Sequence, residues 1–430
     1  MTKKKLQTVV STGILAFQLL VVSSTLTAQS VALKDEVALQ HARQILKSTP
    51  LIDGHNDLPW TIRTNSQAPR DVEAYDLRKQ TPCDTDLGRL KEGQVGAQFW
   101  SVWVPGELKE QGYAKLQLEQ IDLARRMIAR YPESLTLALT AADIESAFRQ
   151  GRIGSLLGME GGHVLENSLG ALRAYYALGV RYMTLTHNVT LDWADAALDE
   201  PKHGGLTPFG KEVIREMNRL AMLVDLSHVT PEVMSDVLRI SEAPVIFSHS
   251  AARALVNHPR NVPDSILVQL RENGGVIMVC FIPYFISQSA ADWEKPLSEK
   301  LKRITSSEES KRIQQEYAVT NPMPKALLSD VADHIEYIRK VAGVDHLGIG
   351  SDFFGGEMMP VGLEDTSKFP YLFAELVKRG WSDADLRKLA GKNILRVIRE
   401  AEVVAHHLQK TRPASTATIE QLDGNGNKQK

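Results

Sequence analysis

The sequence predicts an α/β fold, a (β/α)8 barrel with its functional site at the C-terminal ends of the strands. Three observations predict it. Short apolar runs recur along the chain, and most end in a residue of metal-ligand type. The segments between them carry helix start and stop signals. A chain of 430 residues with 43% hydrophobic content is long enough for one large barrel with insertions. Strands alternating with helices, with polar functional residues at the strands' carboxyl ends, are what such a barrel requires.

The runs follow in order. Pro50, Leu51 and Ile52 lead into Leu-Ile-Asp-Gly-His-Asn-Asp-Leu-Pro-Trp at 51–60, which places His55 and Asp57 two apart. Residues i and i+2 of a strand point to one side, so an imidazole and a carboxylate converge at the strand's end, a common way to hold a divalent metal. Val95 to Val104 is a second run. Ile153 to Met159 ends in Glu160, with Gly161 and Gly162 behind it. Val180 to Thr186 ends in His187 and Asn188, Ala221 to Ser227 in His228, and Pro244 to Ser248 in His249. Gly275 to Phe281 follows, and His346 to Ser351 ends in Asp352, which completes eight. Between them Ser168 is placed to cap a helix closed by Gly179. Thr230-Pro231 supplies a cap and a proline at the first helical position, and Ser382 with Asp385 resembles a capping box.

A formal net charge of −2 and the lack of a basic stripe give no reason to expect nucleic acid as a partner. The amino end reads as a signal peptide over 1–28. Lys3, Lys4 and Lys5 precede a largely apolar stretch from Val9 to Leu26, and cleavage is expected after Ala28. An uncleaved membrane anchor is the alternative, the stretch being nearly long enough to span a bilayer. The expected location is therefore exported, periplasmic or extracellular. From about Gln409 to residue 430 the chain is polar and is expected to be disordered. It has no apolar end, so no GPI anchor is expected. Of the two cysteines, Cys280 falls inside a predicted buried strand and Cys83 in a loop, so a disulfide between them is not the expectation.

Taken together, DGHNDLPW at 53–60, GMEGGH at 158–163, LTHN at 185–188, DLSHV at 225–229, FSHS at 247–250, RNVPD at 260–264 and GIGSDF at 348–353 resemble the membrane (renal-type) dipeptidases. These are zinc peptidases of the amidohydrolase-like barrel group. The motifs stand in that family's order and the likeness spans 33–408, the expected catalytic domain. The resemblance implies two Zn2+ ions per chain. His55 and Asp57 would hold one, His228 and His249 the other, and Glu160 would bridge both. It implies Asp352 as general base, His187 over the substrate carbonyl, and Arg260 on the free C-terminal carboxylate of a dipeptide. Homodimers are a family expectation too.

Amide hydrolysis at neutral pH independently needs a nucleophilic water and an electrophile for the carbonyl, and two metals sharing a water supply both. Imidazole ligands favour zinc over magnesium or calcium. Each residue also has a plainer reading. His187 with Asn188 could belong to a loop, Arg260 could be a solvated base beside His258, and Trp60 could be packing rather than a pocket wall. His163 is as readily structural as supportive of the site. His41, His203, His334, His346, His406 and His407 read as surface or structural residues. Two departures from the family pattern stand out. Phe354 occupies the place of an acidic residue two after Asp352. Cys280-Phe281-Ile282 stands where Asn-Phe-Tyr is common. The resulting expectation is a zinc-dependent dipeptidase. The alternatives are a barrel hydrolase acting on another carboxylate-bearing amide or lactam, and an exported binding protein without catalysis.

Overall fold

In the computed structural model the described residues are 33–301, 304, 307–356 and 358–424. The expected signal segment therefore lies outside them. Nine strands form one parallel sheet: β1 (Leu51–Asn56), β2 (Val95–Ser101), β3 (Leu135–Leu137), β4 (Ile153–Glu160), β5 (Val180–Thr184), β6 (Leu223–Asp225), β7 (Ile246–Ser250), β8 (Val276–Val279) and β9 (Leu347–Ile349). Pairing runs β2-β1-β9-β8-β7-β6-β5-β4, and β2 also pairs with β4, which closes an eight-stranded barrel. All eight predicted runs are barrel strands.

The ninth strand, β3, was not foreseen. It pairs with Ile153 to Ser155 at the start of β4, while β5 takes the later residues of β4 from Leu157 on. Three residues leave no periodicity to read. The lumen is filled by side chains from seven barrel strands, among them Ile52, Phe99, Leu156, Tyr182, Leu223, Ile246 and Met278. Ile394, Leu395, Val397 and Ile398 of the last long helix, Asn393–Thr411, join the same cluster. Gly391 just before it abuts the carbonyl of Pro50, so this helix shuts the amino end of the barrel. The carboxyl end is left to the loops.

Helices start where the sequence placed them. Ser168 caps Leu169–Ala177 by accepting from the Ala171 amide, and Thr230 caps Pro231–Ile240 by accepting from Val233. Ser382 accepts from the Asp385 amide, but the reciprocal half of the expected box is missing because the Asp385 carboxylate pairs with Arg339 at 2.5 Å.

The polar carboxyl end differs from expectation. Among its described residues, Arg412 pairs with Glu242 at 2.7 Å, and the Ser415 amide donates to Glu216 at 3.3 Å. A short helix follows at Ile419–Leu422, and Asp423 then accepts from Thr207 Oγ1 at 2.7 Å and the Phe209 amide at 3.0 Å. Hydrogen bonds and ion pairs hold this stretch, so it has no apolar pattern for a sequence reading to find. Residues 425–430 lie outside the described ones.

Candidate metal centre and substrate pocket

The ends of four strands, β1, β6, β7 and β9, converge on Glu160, the last residue of β4. Its two oxygens face different partners. Oε2 lies 3.5 Å from His55 Nε2, whereas Oε1 lies 3.0 Å from His228 Nε2 and 3.4 Å from His249 Nε2. Asp57 Oδ1 is 3.5 Å from His55 Nε2, and Asp352 Oδ1 is 3.9 Å from it. Ligand atoms thus group as His55, Asp57 and Glu160, as Glu160, His228 and His249, and as His55, His249 and Asp352.

Backbone placement at two of these positions is unusual. His228 has φ +72° and Asp352 φ +63°, the left-handed region that residues other than glycine rarely enter. His228 is pinned by its carbonyl, which accepts from the Ala197 amide at 2.7 Å and Thr186 Oγ1 at 3.3 Å. Asp352 is pinned by its amide, which donates to the His55 carbonyl at 3.2 Å. Its neighbour Ser351 donates through amide and hydroxyl to Asp53, at 2.7 and 2.6 Å.

The electrostatics are those of crowded, buried charge. Burial pushes Glu160 up to about 8, against the pull of His55 and with Asp57 and Asp352 adding to the push. Asp352 rises to about 6 through burial, opposed by His55 and reinforced by Asp57. Burial works against a charged His55, yet Glu160 and Asp57 overcome it and raise the ring to about 10. His228 and His249 are driven well below the usual histidine range, by burial first and then by neighbouring cations including Arg260.

The donor set fits divalent metal. His55 Nε2 and Asp57 Oδ1 are buried polar atoms without a hydrogen-bond partner. His228 and His249 face each other Nε2 to Nε2 at 2.9 Å, each ring presenting its Nδ1 to another group behind. Two bare lone pairs so arranged repel unless a proton or a metal cation sits between them. Ligand atoms around a tetrahedral zinc stand roughly 3.3 Å apart, given bonds of ~2.0–2.1 Å. The separations around Glu160 bracket that value.

Beside this cluster, the His187 ring lies 4.5 Å from that of His228 and 5.2 Å from that of Trp103. Its surroundings press its pKa down to about 3, through burial and then the Arg260 charge, so it stays a neutral imidazole. Arg260 is only 1% exposed. Its Nη2 donates to the His249 carbonyl at 3.4 Å, and the guanidinium lies 5.1 Å from the Phe285 ring centre. Nε and Nη1 have no partner. Trp60 sits farther out, its ring 4.7 Å from Trp103.

The structure therefore brings His55, Asp57, Glu160, His228, His249, Asp352, His187 and Arg260 together, with Trp60 reached through Trp103. His163 stands back from the cluster, its Nε2 2.9 Å from the Val104 carbonyl and its ring stacked edge-on against Tyr113. Cys83 and Cys280 are free thiols, and Cys280 Sγ lies 3.7 Å from Asp352 Oδ2. Sequence reasoning missed Trp103, half-buried between Trp60 and His187 with its indole N–H unpartnered. It missed Tyr182 as well, whose hydroxyl meets His55 Nδ1 at 2.7 Å. Both stand in apolar strand runs, where an aromatic residue looks like core.

Known proteins share this arrangement of chain and fold. The family model of the membrane dipeptidases (peptidase family M19) matches residues 39–412. The "Dipeptidase verJ" of Clonostachys rogersoniana is 40% identical over 384 residues, which is 87% of this chain and 89% of that protein. A crystal structure of the probable dipeptidase PvdM from Pseudomonas aeruginosa superposes with a TM-score of 0.73 at 26% identity, covering 86% of this chain and all (100%) of that one. A Rhodobacter sphaeroides metallopeptidase, solved with a phosphinate mimic of the dipeptide L-Ala-D-Ala, has the same fold, with a TM-score of 0.67 at 23% identity over 82% of this chain and 99% of its own. The chain belongs to the membrane dipeptidase family, and is a metal-dependent peptide-bond hydrolase of that family.

Proposed function

We propose that this protein is a zinc dipeptidase that cleaves dipeptides carrying a free C-terminal carboxylate. The observation that carries this reading is Arg260, a guanidinium buried beside the ligand cluster with two nitrogens unpartnered. A buried charge is costly unless paired, so the site calls for an anion at that point. A substrate carboxylate gripped by a planar fork supplies it, and also limits the substrate to a short chain ending there.

His55, Asp57 and Glu160 would hold one ion, and Glu160, His228 and His249 the other. Such a pair supplies an acidified water and a Lewis acid for the scissile carbonyl. Asp352 takes the proton of the attacking water on its carboxylate and returns it to the leaving amine nitrogen. His187, held neutral, donates a ring N–H to the carbonyl oxygen as negative charge develops there. Trp60 and Trp103 wall the space above. The basic and then apolar amino end supports export, and the family resemblance a homodimer.

The test compares a dipeptide with its C-terminal amide on metal-replete enzyme. Charge-assisted hydrogen bonds of about 1.5–3 kcal/mol are at stake, so Arg260→Ala should lose roughly one to two decades in kcat/KM. The amide should already be poor for the natural enzyme. Equal rates on both substrates would remove Arg260 from the role given to it.

A further inference from the structure

The imidazoles that face Glu160 are gripped from behind, and at His249 the surrounding groups decide where the ring's proton sits. Ser248 Oγ lies 2.8 Å from His249 Nδ1 and 2.5 Å from Asp225 Oδ2. Asp225 is fully buried at the end of β6 and is surrounded by donors. Thr184 Oγ1 reaches its Oδ2 at 2.5 Å, while the amides of Ser227 and Ser248 reach its Oδ1 at 3.1 and 2.8 Å. Asp225 is thus placed to accept from two amides on Oδ1 and two hydroxyls on Oδ2. The single hydroxyl proton of Ser248 therefore goes to Asp225. Only a lone pair is left for His249, whose Nδ1 must carry the hydrogen, and Nε2 is left bare toward Glu160 and His228.

The same reasoning applies across the site. Tyr182 Oη lies 3.2 Å from the Gly54 carbonyl, which can only accept, and 2.7 Å from His55 Nδ1; with its proton on the carbonyl side, its lone pair receives Nδ1–H of His55. Gly158 makes this possible, since a Cβ there would stand 2.1 Å from the Tyr182 ring.

We propose that Asp225 is a positioning residue. Acting through Ser248, it fixes the tautomer of His249 and so sets the affinity of the His228–His249 half of the metal centre, while Tyr182 does the same for His55 in the other half. This rests on the di-metal reading above. The competing account makes Asp225 a staple that ties β5, β6 and β7 together through Thr184, its own strand and Ser248.

Asp225→Asn separates the two. The amide keeps the shape and the number of hydrogen bonds, but it presents N–H to Thr184 and Ser248. Both hydroxyls then turn round, Ser248 donates to His249 Nδ1, and the ring's proton moves to Nε2, where it opposes a metal. An Asp-to-Asn change that spares geometry but reverses a tautomer is known to be costly elsewhere. The experiment titrates metal-stripped full-length chain with Zn2+ against a chromophoric chelator and counts ions by elemental analysis, alongside the Tm of each ion-free protein. Wild type should bind two ions. Asp225→Asn should keep one tight ion and bind the other at least 10- to 100-fold more weakly, the range typical of lost outer hydrogen bonds. Ion-free Tm should be little changed. Ser248→Ala should weaken the same ion, and Tyr182→Phe the other. Should Asp225→Asn fail to fold, Ser248→Ala decides alone. Two ions held as tightly as in wild type would overturn the proposal. So would parallel weakening of both ions with a matching fall in ion-free Tm, which is what a staple predicts. A wild-type protein that binds fewer than two ions would instead sink the di-metal reading beneath it.

Discussion

Asp352 is set in a backbone conformation that costs a non-glycine residue on the order of 1–3 kcal/mol, and such strain persists only where the surroundings impose it. Here the His55 carbonyl and the Ser351–Asp53 pair impose it. The result is a carboxylate 3.9 Å from His55 Nε2, near enough to act as base and also near enough to be a ligand. Asp352→Asn tells these apart. Asn accepts left-handed φ readily and keeps the hydrogen-bonding outline, but it cannot take a proton. A general base is worth about two to four decades, so kcat should fall by that much while bound metal and substrate affinity stay near wild type. Loss of one ion would make Asp352 a ligand instead, and a fast, fully loaded variant would deny it both roles. Most residues of the cluster were legible in the sequence because they stand at or just past the ends of apolar runs, and Arg260 was legible through the RNVPD motif. Tyr182, Trp103 and Asp225 were not, because their part depends on which strand lies beside theirs, and a single strand carries no such information.

Strands and helices were read more completely than the connections. Eight apolar runs became eight strands since a parallel strand buried on both faces must be apolar along its length. Caps at Ser168 and Thr230 were legible for an equally local reason, as a short polar side chain reaches its own helix's free amides. Asp423 does the same for a helix more than two hundred residues earlier in the chain. It accepts from Thr207 Oγ1 and the Phe209 amide at the start of Pro208–Leu220, and no local pattern announces that. Asp423→Ala should remove this second cap, at a cost of about 0.5–2 kcal/mol by the usual value of capping residues. Thermal unfolding should show a lower Tm with metal content unchanged. An unchanged Tm would mean that Thr207, which already caps this helix by accepting from Gly210, suffices alone.

At the scale of the whole molecule, the barrel brings three carboxylates, Asp57, Glu160 and Asp352, into one small space with three imidazoles. Without cations such a cluster holds protons: burial, reinforced by Asp57 and Asp352, pushes Glu160 up to about 8, and Glu160 and Asp57 raise His55 to about 10 against its burial. An incoming ion must displace those protons. Metal affinity should therefore rise with pH as Glu160 gives up its proton through about 8, and binding at neutral pH should release protons. Calorimetry in buffers of different ionisation enthalpy measures that release directly, and a binding heat independent of buffer would contradict it. The proposed ions would tie together loops from separate strands. Ions that bind the folded chain and not the unfolded one would stabilise it by mass action, about 2.7 kcal/mol at a free concentration one hundred times Kd. Exhaustive chelation should then do two things at once: abolish dipeptide hydrolysis and lower Tm. Restoring Zn2+ should recover both. Hydrolysis that outlasts removal of the metal would rule out metal-assisted chemistry, and recovery of Tm without activity would mean that the ions serve the fold alone.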